Sequence, residues 1–394
     1  MKKLIVAFCL MSSMCSAQDP QIEAILSDLS IDSLIYYASA ISGEFPVEVD
    51  GNVETIASRN RNFPGNEIAA DYIEQKFQSY GLTTAVQSYS ATGENVLATQ
   101  PGLIFPNQKV VICGHYDSMP ANGTASPAAD DDGSGTAAVI EAARVLSQYN
   151  FAYTIVYALW DEEEYGLVGS NFYATEAENN EDSLVAVINV DAIAWDGNGD
   201  SLARVHVRDI ANSVDLGTVA ANMIATYDLG IQIETNSPGA TYSDHASFWN
   251  HGFSAILIIE DFDNDGNPHY HTSTDLVEHF DTAYFEQISK WAFATTATMA
   301  VPLAADVSVV NPEKGVFQIY PNPVTDNLKI TTEGTTNRQL EVSLFDVAGK
   351  ELKNFGSRQL PSNIGLQEFP KGSYILTLKD LDTGETFSEK VLKR

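Results

Sequence analysis

The stretch YTIVYALWDEEEYG, residues 153–166, decides the fold class of this chain. Its first eight residues are β-branched, aromatic or otherwise apolar, which is typical of a strand buried on both faces of a sheet. Four carboxylates follow at once, from Asp161 to Glu164. Burying carboxylates is costly unless positive charge neutralises them. The end of this strand is therefore a candidate site for a cation.

Similar apolar runs alternate with helical patterns along the chain. Residues 110–113, 184–190 and 253–259 are predicted strands, and residues 136–149 place apolar side chains on one face of a helix. This alternation predicts an α/β fold with a mixed, largely parallel sheet flanked by helices. Ligands of such sheets bind at the carboxyl ends of the strands. Each polar cluster described below follows an apolar run.

The composition is that of a globular and strongly acidic protein. The chain has 394 residues, 44% of them hydrophobic, and its formal net charge is −32. A surface this acidic repels the phosphates of nucleic acids and anionic lipids, so neither is an expected partner. The same charge favours divalent cations.

Charge also divides the chain into units. Residues 317–394 carry ten basic and ten acidic side chains, whereas residues 18–316 carry 43 acidic and nine basic ones. We predict a large α/β domain over residues 61–300, a linker over residues 301–316, and a small C-terminal all-β sandwich built from short strands between Gly and Pro turns. Residues 18–60 look helical and are either a cap on the large domain or a pro-segment.

The N-terminus is typical of an export signal. Lys2 and Lys3 precede an apolar run over residues 4–11, and small residues before position 18 fit cleavage after Ala17. The run is shorter than the roughly 20 residues that a membrane-spanning helix needs. We therefore expect residues 1–17 to be a signal peptide, with lipidation of Cys15 as the alternative. The mature protein is expected to be secreted and to have no transmembrane segment.

Five polar clusters carry the candidate chemistry. They are GHYD (114–117), ADDDGSG (129–135), DEEEYGL (161–167), Asp191, and HYHTSTD (269–275). Each has an ordinary explanation when taken singly: a helix cap, an exposed acidic turn or a structural histidine. Together, a His, an Asp, a Glu, an Asp and a His at strand ends match a site for two metal ions about 3.5–4 Å apart, joined by a bridging carboxylate.

The clusters resemble the secreted zinc-dependent aminopeptidases of the bacterial leucyl aminopeptidase and aminopeptidase Y type. The matching stretches are GHYDS, SPAADDDGSG, DEEEYGLVGS, NVDAIAW, SDHASF and NPHYHTSTD, which begin at Gly114, Ser126, Asp161, Asn189, Ser243 and Asn267. They occur in the family's order, and the resemblance covers roughly residues 59–299. It implies a phosphorylase/hydrolase-like α/β fold and two zinc ions.

The resemblance also implies a role for individual residues. The implied metal ligands are His115 and Asp191 for one zinc ion, Glu164 and His271 for the other, and Asp131 as the bridge. The choice of Asp131 among three adjacent aspartates rests on the family's register, and the glutamates are distinguished by counting back from Gly166. Glu163 is then the general base, and Asp117 orients His115. Asp275 is the expected partner of His271, and Tyr242 is a candidate hydrogen-bond donor to the developing oxyanion.

The implied activity is hydrolysis of the N-terminal residue of peptides with free N-termini, by a metal-bound hydroxide as nucleophile. Ile258, Ile259 and Phe262 are candidates for an apolar specificity pocket. Two alternatives are a glutaminyl cyclase-like enzyme with one zinc ion and a non-catalytic surface binding protein on the same fold. The number of bound zinc ions separates the first alternative, and hydrolysis of aminoacyl substrates separates the second.

Two further stretches have resemblances of their own. Residues 261–266, DFDNDG, are similar to the start of a calcium loop, although Thr272 stands where such loops carry a Glu; an acidic turn is the expected alternative to a Ca²⁺ site. The tail motifs YPNP, LFDVAGK, PKGSY and EKVLK resemble the C-terminal sorting domain of type IX secretion. That resemblance implies export by this machinery, followed either by removal of the tail or by attachment to the cell surface. A carbohydrate-binding sandwich is the alternative.

Overall fold

The computed structural model describes residues 18–119, 126–303, 317–322, 324–332, 338–345, 351–381 and 386–393. The expected signal peptide, residues 1–17, and residues 304–316 of the expected linker lie outside the described residues.

The helices, in chain order, are α1 (Pro20–Asp28), α2 (Ile31–Ile41), α3 (Pro64–Ser79), α4 (Gly133–Leu146), α5 (Val168–Asn179), α6 (Ser213–Tyr227), α7 (His245–Asn250) and α8 (Thr282–Ala300). Short 3-10 turns cover Glu163–Tyr165 and Val277–His279. The strands of the N-terminal unit are β1 (Val47–Val49), β2 (Asn52–Glu54), β3 (Thr83–Ser88), β4 (Glu94–Gln100), β5 (Phe105–His115), β6 (Asn150–Phe151), β7 (Tyr153–Trp160), β8 (Ser183–Val190), β9 (Leu202–His206), β10 (Gln232–Asn236), β11 (Ala255–Glu260) and β12 (Pro302–Leu303).

An eight-stranded mixed sheet forms the centre of this unit, in the order β10-β9-β11-β8-β5-β7-β4-β3. Its four middle strands, β11, β8, β5 and β7, are parallel to one another. All eight residues of β7 are buried, because helices cover both faces of the sheet there. The predicted α/β fold with a mixed, largely parallel sheet is confirmed. The carboxyl ends of the four middle strands lie at one edge of the sheet.

The two N-terminal helices belong to the same hydrophobic core as this sheet. Ile25, Leu34 and Ile41 are fully buried in that core, together with α4 and α8. The backbone N–H of Ser30 also donates to the carboxylate of Glu141 on α4 at 2.9 Å. Helices α1 and α2 therefore pack into the same core as the central sheet.

Among the described residues, no single helix has both the length and the apolar composition to cross a membrane; α1 and α2 reach these limits only as a pair, which is bent by 51°.

The C-terminal residues form two antiparallel sheets, as the sequence predicts. Their strands are β13 (Phe317–Tyr320), β14 (Asn327–Thr332), β15 (Gln339–Phe345), β16 (Glu351–Gln359), β17 (Ser362–Gly365), β18 (Gly372–Asp380) and β19 (Thr386–Lys393). One sheet has the order β13-β14-β17 and the other the order β16-β15-β18-β19. Leu328 and Ile330 of the first sheet and Val342 and Leu376 of the second are buried in one cluster, so the two sheets share a core.

Candidate metal centre

The candidate ligands converge at the carboxyl ends of the middle strands. His115 ends β5, the Glu163–Tyr165 turn follows β7, and Asp191 follows β8. Asp131 lies in the turn before α4, and His271 lies in the loop between β11 and α8. Because parallel strands bring their carboxyl ends to one edge, residues far apart in sequence meet here.

Asp131 lies between the two histidines. Its Oδ1 is 3.3 Å from Nε2 of His115, and its Oδ2 is 2.9 Å from Nε2 of His271. Oδ2 of Asp131 and Nε2 of His271 are buried and have no hydrogen-bond partner among the described residues, despite this short distance. Both atoms are therefore oriented as two ligands of one ion are, and not as a donor and an acceptor.

The remaining carboxylates surround the same histidines. Glu164 Oε1 is 3.2 Å from Nε2 of His271. Asp191 Oδ1 and Glu163 Oε2 are 3.7 Å and 3.9 Å from Nε2 of His115. Two sets of three potential ligand atoms lie within 4.8 Å of one another: His115, Asp132 and Asp191, and Asp131, Glu164 and His271.

Asp132 is the member of these sets that the sequence did not single out. Its carboxylate is occupied by backbone N–H groups: His115 N donates to it at 3.0 Å, Ala192 N at 3.2 Å, and Gly135 N at 2.8 Å as the N-terminal cap of α4. A Cβ on Gly135 would collide with this carboxylate, so the glycine is required there. Asp132 therefore joins the ends of β5 and β8, and Asp131 is left as the carboxylate that faces both histidines.

The charge of the site supports a cation. Burial raises the pKa of Glu163 well above its ordinary value, and burial together with the nearby Asp131 raises the pKa of Glu164 to about 7. Burial by itself lowers the pKa of His271, but the nearby carboxylates of Asp131 and Glu164 outweigh it and raise that pKa to about 10. Carboxylates crowded together in this way lack positive charge, which divalent ions supply. Oxygen and imidazole ligands are also a donor set that zinc accepts.

Asp117 and Asp275 are not candidate ligands, but each contacts a residue that is. Oδ1 of Asp117 is 3.3 Å from Nδ1 of His115, and its carboxylate accepts the backbone N–H groups of Glu163 at 3.0 Å and Glu164 at 3.3 Å. It thus connects the end of β5, at His115, to the turn that carries Glu163 and Glu164.

The contacts of Asp275 differ from the expected partnership with His271. Its oxygens accept the N–H groups of Asp130 at 3.0 Å and Asp131 at 3.2 Å, so it supports Asp131 and not His271.

A cleft of about 630 Å³ opens over these residues. Four candidate ligands, His115, Asp131, Glu164 and Asp191, line it together with Glu163. The rest of its wall is largely apolar and aromatic: Leu167, Ala192, Tyr242, Ile259, Phe262 and Tyr270. Burial and the nearby Asp191 raise the pKa of Tyr242 to about 12, so the phenol keeps its proton at neutral pH. Two of the three expected pocket residues line this cleft, whereas Ile258 lies in the hydrophobic core because its side chain points to the other face of β11.

Several residues around the candidate metal centre have strained backbone angles. Ala128, Glu162, Leu167, Ala192 and His271 all have positive φ angles, between 47° and 60°. Non-glycine residues adopt this region at a cost, and such residues cluster at functional sites where the surrounding structure holds them.

The calcium-like stretch is paired internally. Oδ1 of Asp261 lies 2.7 Å from Nε of Arg204, and Asp263 lies 3.0 Å from Nη1 of the same arginine. These aspartates are therefore already neutralised by a guanidinium, which favours the acidic-turn alternative over a Ca²⁺ site.

Several supporting residues were missed by the sequence reasoning. Arg59 is fully buried, and its guanidinium donates hydrogen bonds to the carbonyls of Pro127 and Ala128, just before the Asp130–Asp132 turn. Asn66 donates to Asp161 at 2.8 Å, and Asn267 donates to Asp130 at 2.8 Å. The segment SRNRNFPGN, residues 58–66, has no apolar periodicity, and its polar density next to a predicted helix was the only available signal.

Comparison with known proteins places this site in a family. Residues 95–296 match the model of peptidase family M28, and residues 318–394 match that of the secretion system C-terminal sorting domain. The chain is 26% identical over 336 residues to a probable zinc metalloprotease of Pyrenophora tritici-repentis, covering 69% of each protein. It is 32% identical over 218 residues to a probable leucine aminopeptidase of Trichophyton verrucosum, covering 52% of this chain and 58% of the relative.

The fold is similar to that of the LapA aminopeptidase of Legionella pneumophila, with a TM-score of 0.62 at 22% identity over 71% of this chain and 75% of LapA. The peptidase match spans just over half of the chain and includes all the candidate ligands. The chain therefore belongs to peptidase family M28.

Proposed function

We propose that this chain is an exported zinc aminopeptidase that binds two zinc ions and uses Glu163 as its general base. The observation that carries the proposal is the position of Asp131, whose two oxygens face Nε2 of His115 and Nε2 of His271. A carboxylate placed in this way would be shared by two metal ions. His115 and Asp191 would hold the first ion, and Glu164 and His271 would hold the second.

The bound ions supply Lewis-acid polarisation of the scissile carbonyl and lower the pKa of water. Proton transfer, positioning and hydrogen bonding to the substrate are the tasks of the protein residues. Glu163 lines the cleft and lies beside His115, at 3.9 Å, in a position to take a proton from the attacking water and to return it to the leaving amine. Asp117 holds the backbone N–H groups of Glu163 and Glu164, so the base and a ligand are positioned together. Tyr242 is placed on the cleft wall to donate to the developing oxyanion.

The lining of the cleft supports a preference for substrates with an apolar N-terminal residue. Ile259, Phe262 and Leu167 contribute apolar side chains to the wall of the cleft. Such a wall desolvates an aliphatic or aromatic side chain, while the carboxylates favour a free amino group. The relative named as a probable leucine aminopeptidase agrees with this substrate class.

The C-terminal unit supports export. Residues 318–394 match a secretion sorting domain, and the type IX motifs quoted above lie within them. We infer that the type IX machinery recognises this unit and delivers the peptidase to the outside of the cell.

Metal removal tests the proposal directly. Dialysis against a chelator is expected to abolish hydrolysis of leucine p-nitroanilide, and zinc is expected to restore it with a break at two equivalents per chain. A substrate with a blocked N-terminus is expected to be inert. Full activity with one equivalent, combined with cyclisation of an N-terminal glutamine, would instead indicate the glutaminyl cyclase alternative. Zinc binding without turnover of any aminoacyl substrate would indicate a binding protein.

A further inference from the structure

Arg59 is a fully buried arginine that the proposed mechanism does not use. Its guanidinium donates four hydrogen bonds, all to backbone carbonyls: Nε to Tyr116 at 2.6 Å, Nη1 to Ile41 at 2.9 Å and to Pro127 at 2.7 Å, and Nη2 to Ala128 at 2.7 Å. None of these bonds goes to a carboxylate. A buried cation that satisfies only carbonyls is expensive, since burial lowers its pKa and disfavours its charge. Its position therefore calls for an explanation.

Three of the four carbonyls that Arg59 holds belong to the two turns that present the proposed bridging carboxylate and the first histidine, and the fourth, that of Ile41, ends α2. Pro127 and Ala128 precede the Asp130–Asp132 turn, and Tyr116 follows His115. Ala128 has a φ of +47°, a conformation that an alanine does not adopt at low cost. Its carbonyl accepts both from Arg59 and from the backbone N–H of Gly133 at 3.1 Å. These bonds hold the chain in the shape that directs Asp131 towards the histidines.

The charge of Arg59 acts on the same turn. Asp275, Asp132, Asp117 and Asp131 are the carboxylates that offset its burial. A planar guanidinium suits this role better than an ammonium, because it reaches several carbonyls at fixed angles and keeps its charge. The backbone of Arg59 also links this region to the turn that carries Glu163 and Glu164. Its carbonyl accepts a hydrogen bond from Asn66 at 2.8 Å, and Asn66 also donates to Asp161, at the start of that turn.

We propose that Arg59 is a positioning residue of the metal centre: its guanidinium locks the Pro127–Ala128 carbonyls and thereby holds Asp131 between His115 and His271 before metal binds. The inference rests on the proposed function for its metal, but the preorganisation that it describes is a property of the metal-free chain. Residues that orient ligands in this way typically contribute 10- to 100-fold to metal affinity.

The test compares the full-length Arg59→Met and Arg59→Lys variants with the wild type and with Arg144→Met. Arg144 is a suitable control because it forms a close ion pair with the buried Glu141, at 2.6 Å on α4, and contacts none of the ligand turns described here. Two quantities are measured: zinc affinity by competition with a chromogenic chelator, and amide hydrogen exchange of residues 126–133 in the metal-free protein.

Arg59→Met is expected to lose about 10- to 100-fold in zinc affinity and to exchange faster over residues 126–133. Arg59→Lys is expected to be intermediate, because lysine keeps the charge but reaches fewer carbonyls. Arg144→Met is expected to lower the melting temperature without changing either quantity. A purely structural role of Arg59 would lower the melting temperature equally with and without zinc and leave the affinity of the folded protein unchanged.

The proposal is overturned if Arg59→Met keeps wild-type zinc affinity and wild-type exchange at residues 126–133. If Arg59→Met does not fold, Arg59→Lys decides in the same way, with unchanged affinity and exchange counting against the proposal. If the wild type itself binds no zinc, the proposed function fails, and the exchange comparison in the metal-free chain still decides whether Arg59 positions the turn.

Discussion

Three adjacent aspartates have three different tasks, although nothing in their own sequence distinguishes them. Asp130 accepts from Asn267 at 2.8 Å and from the backbone N–H of Ala194 at 3.0 Å. Asp132 caps α4 and accepts from the ends of two strands. Asp131 alone faces both histidines. Burial raises the pKa of Asp131, but the two nearby histidines outweigh it and lower that pKa, so this carboxylate stays ionised as a metal bridge requires.

The residue-scale prediction concerns the base. Glu163→Gln is expected to lower kcat by about 100- to 10,000-fold, since general acid–base catalysis contributes this much. Zinc content and melting temperature should stay at wild-type values, because Glu163 is not among the proposed ligands. Initial rates on leucine p-nitroanilide and metal analysis of the purified variant provide the measurement.

The matched control is the preceding residue. Glu162 Oε1 lies 3.4 Å from Nη1 of Arg61 and takes no part in the proposed chemistry, so Glu162→Gln should change kcat by less than about tenfold. Reversal of the two effects would show that the base is Glu162.

At the scale of elements, the site is built from turns that the core holds in place. Helix α4 begins at Gly133, directly after the aspartate turn, and nearly all of it is buried. Helix α2 packs against α4. The carbonyl of Ile41, the last residue of α2, accepts a hydrogen bond from Arg59. The N-terminal helices are therefore structural parts of the peptidase, and we expect them to be retained in the mature enzyme.

Leu34→Ala is expected to destabilise the protein by about 2–5 kcal/mol, because it leaves a cavity between α2 and the core. Urea unfolding of the zinc-loaded enzyme measures this change. Val53→Ala, at a side chain that is 73% exposed, should change the free energy of unfolding by less than about 0.5 kcal/mol. A change at Leu34 as small as that at Val53 would mean that α1 and α2 are dispensable.

A second element-scale prediction concerns the loop after β10. Nδ1 of His206, at the end of β9, accepts the backbone N–H of Ala240 at 3.0 Å, and burial lowers the pKa of this histidine to about 4. Between pH 4 and the unfolded value of about 6.5, the unfolded chain binds more protons than the folded one. The stabilisation that His206 provides is therefore complete above pH 6.5 and is lost as the pH falls towards 4.

The measurement is the difference in unfolding free energy between the wild type and His206→Asn, followed from pH 7.5 to pH 4. This difference is expected to shrink as the pH falls. Parallel pH profiles for the two proteins would contradict a neutral, hydrogen-bonded His206.

At the scale of the whole molecule, the strongly acidic peptidase unit and the electrically neutral tail have separate tasks. The hydrophobic cluster that joins the two C-terminal sheets contains only residues of the tail. All proposed ligands and the cleft residues lie before residue 272. Catalysis is therefore expected to be independent of the tail, and export to depend on it.

Removal of residues 304–394 is expected to leave kcat/KM on leucine p-nitroanilide within about twofold of the wild type, since no cleft residue is lost. The same truncation should abolish delivery to the medium or the cell surface in a host that has a type IX machinery, as measured by cell fractionation. Export of the truncated chain would refute the proposed role of the tail.

The sequence by itself determined the fold class and named the candidate site residues. Continuous apolar runs such as YTIVYALW mark strands buried on both faces, and the carboxyl ends of such strands collect polar residues at one edge. The bounds of β7, Tyr153–Trp160, match this reading. These features were readable because periodicity and strand-end position are local properties of the chain.

Only the tertiary structure decided how those residues share their tasks. Asp275 accepts hydrogen bonds from the backbone of Asp130 and Asp131, and Asp132 joins two strand ends. Arg59 donates hydrogen bonds to carbonyls of two turns that lie more than 50 residues away in the sequence. Each of these contacts depends on which backbone N–H or carbonyl lies within about 3 Å after folding. A linear pattern carries no information about that distance, and so the donors and acceptors behind the ligands appear only when the chain is folded.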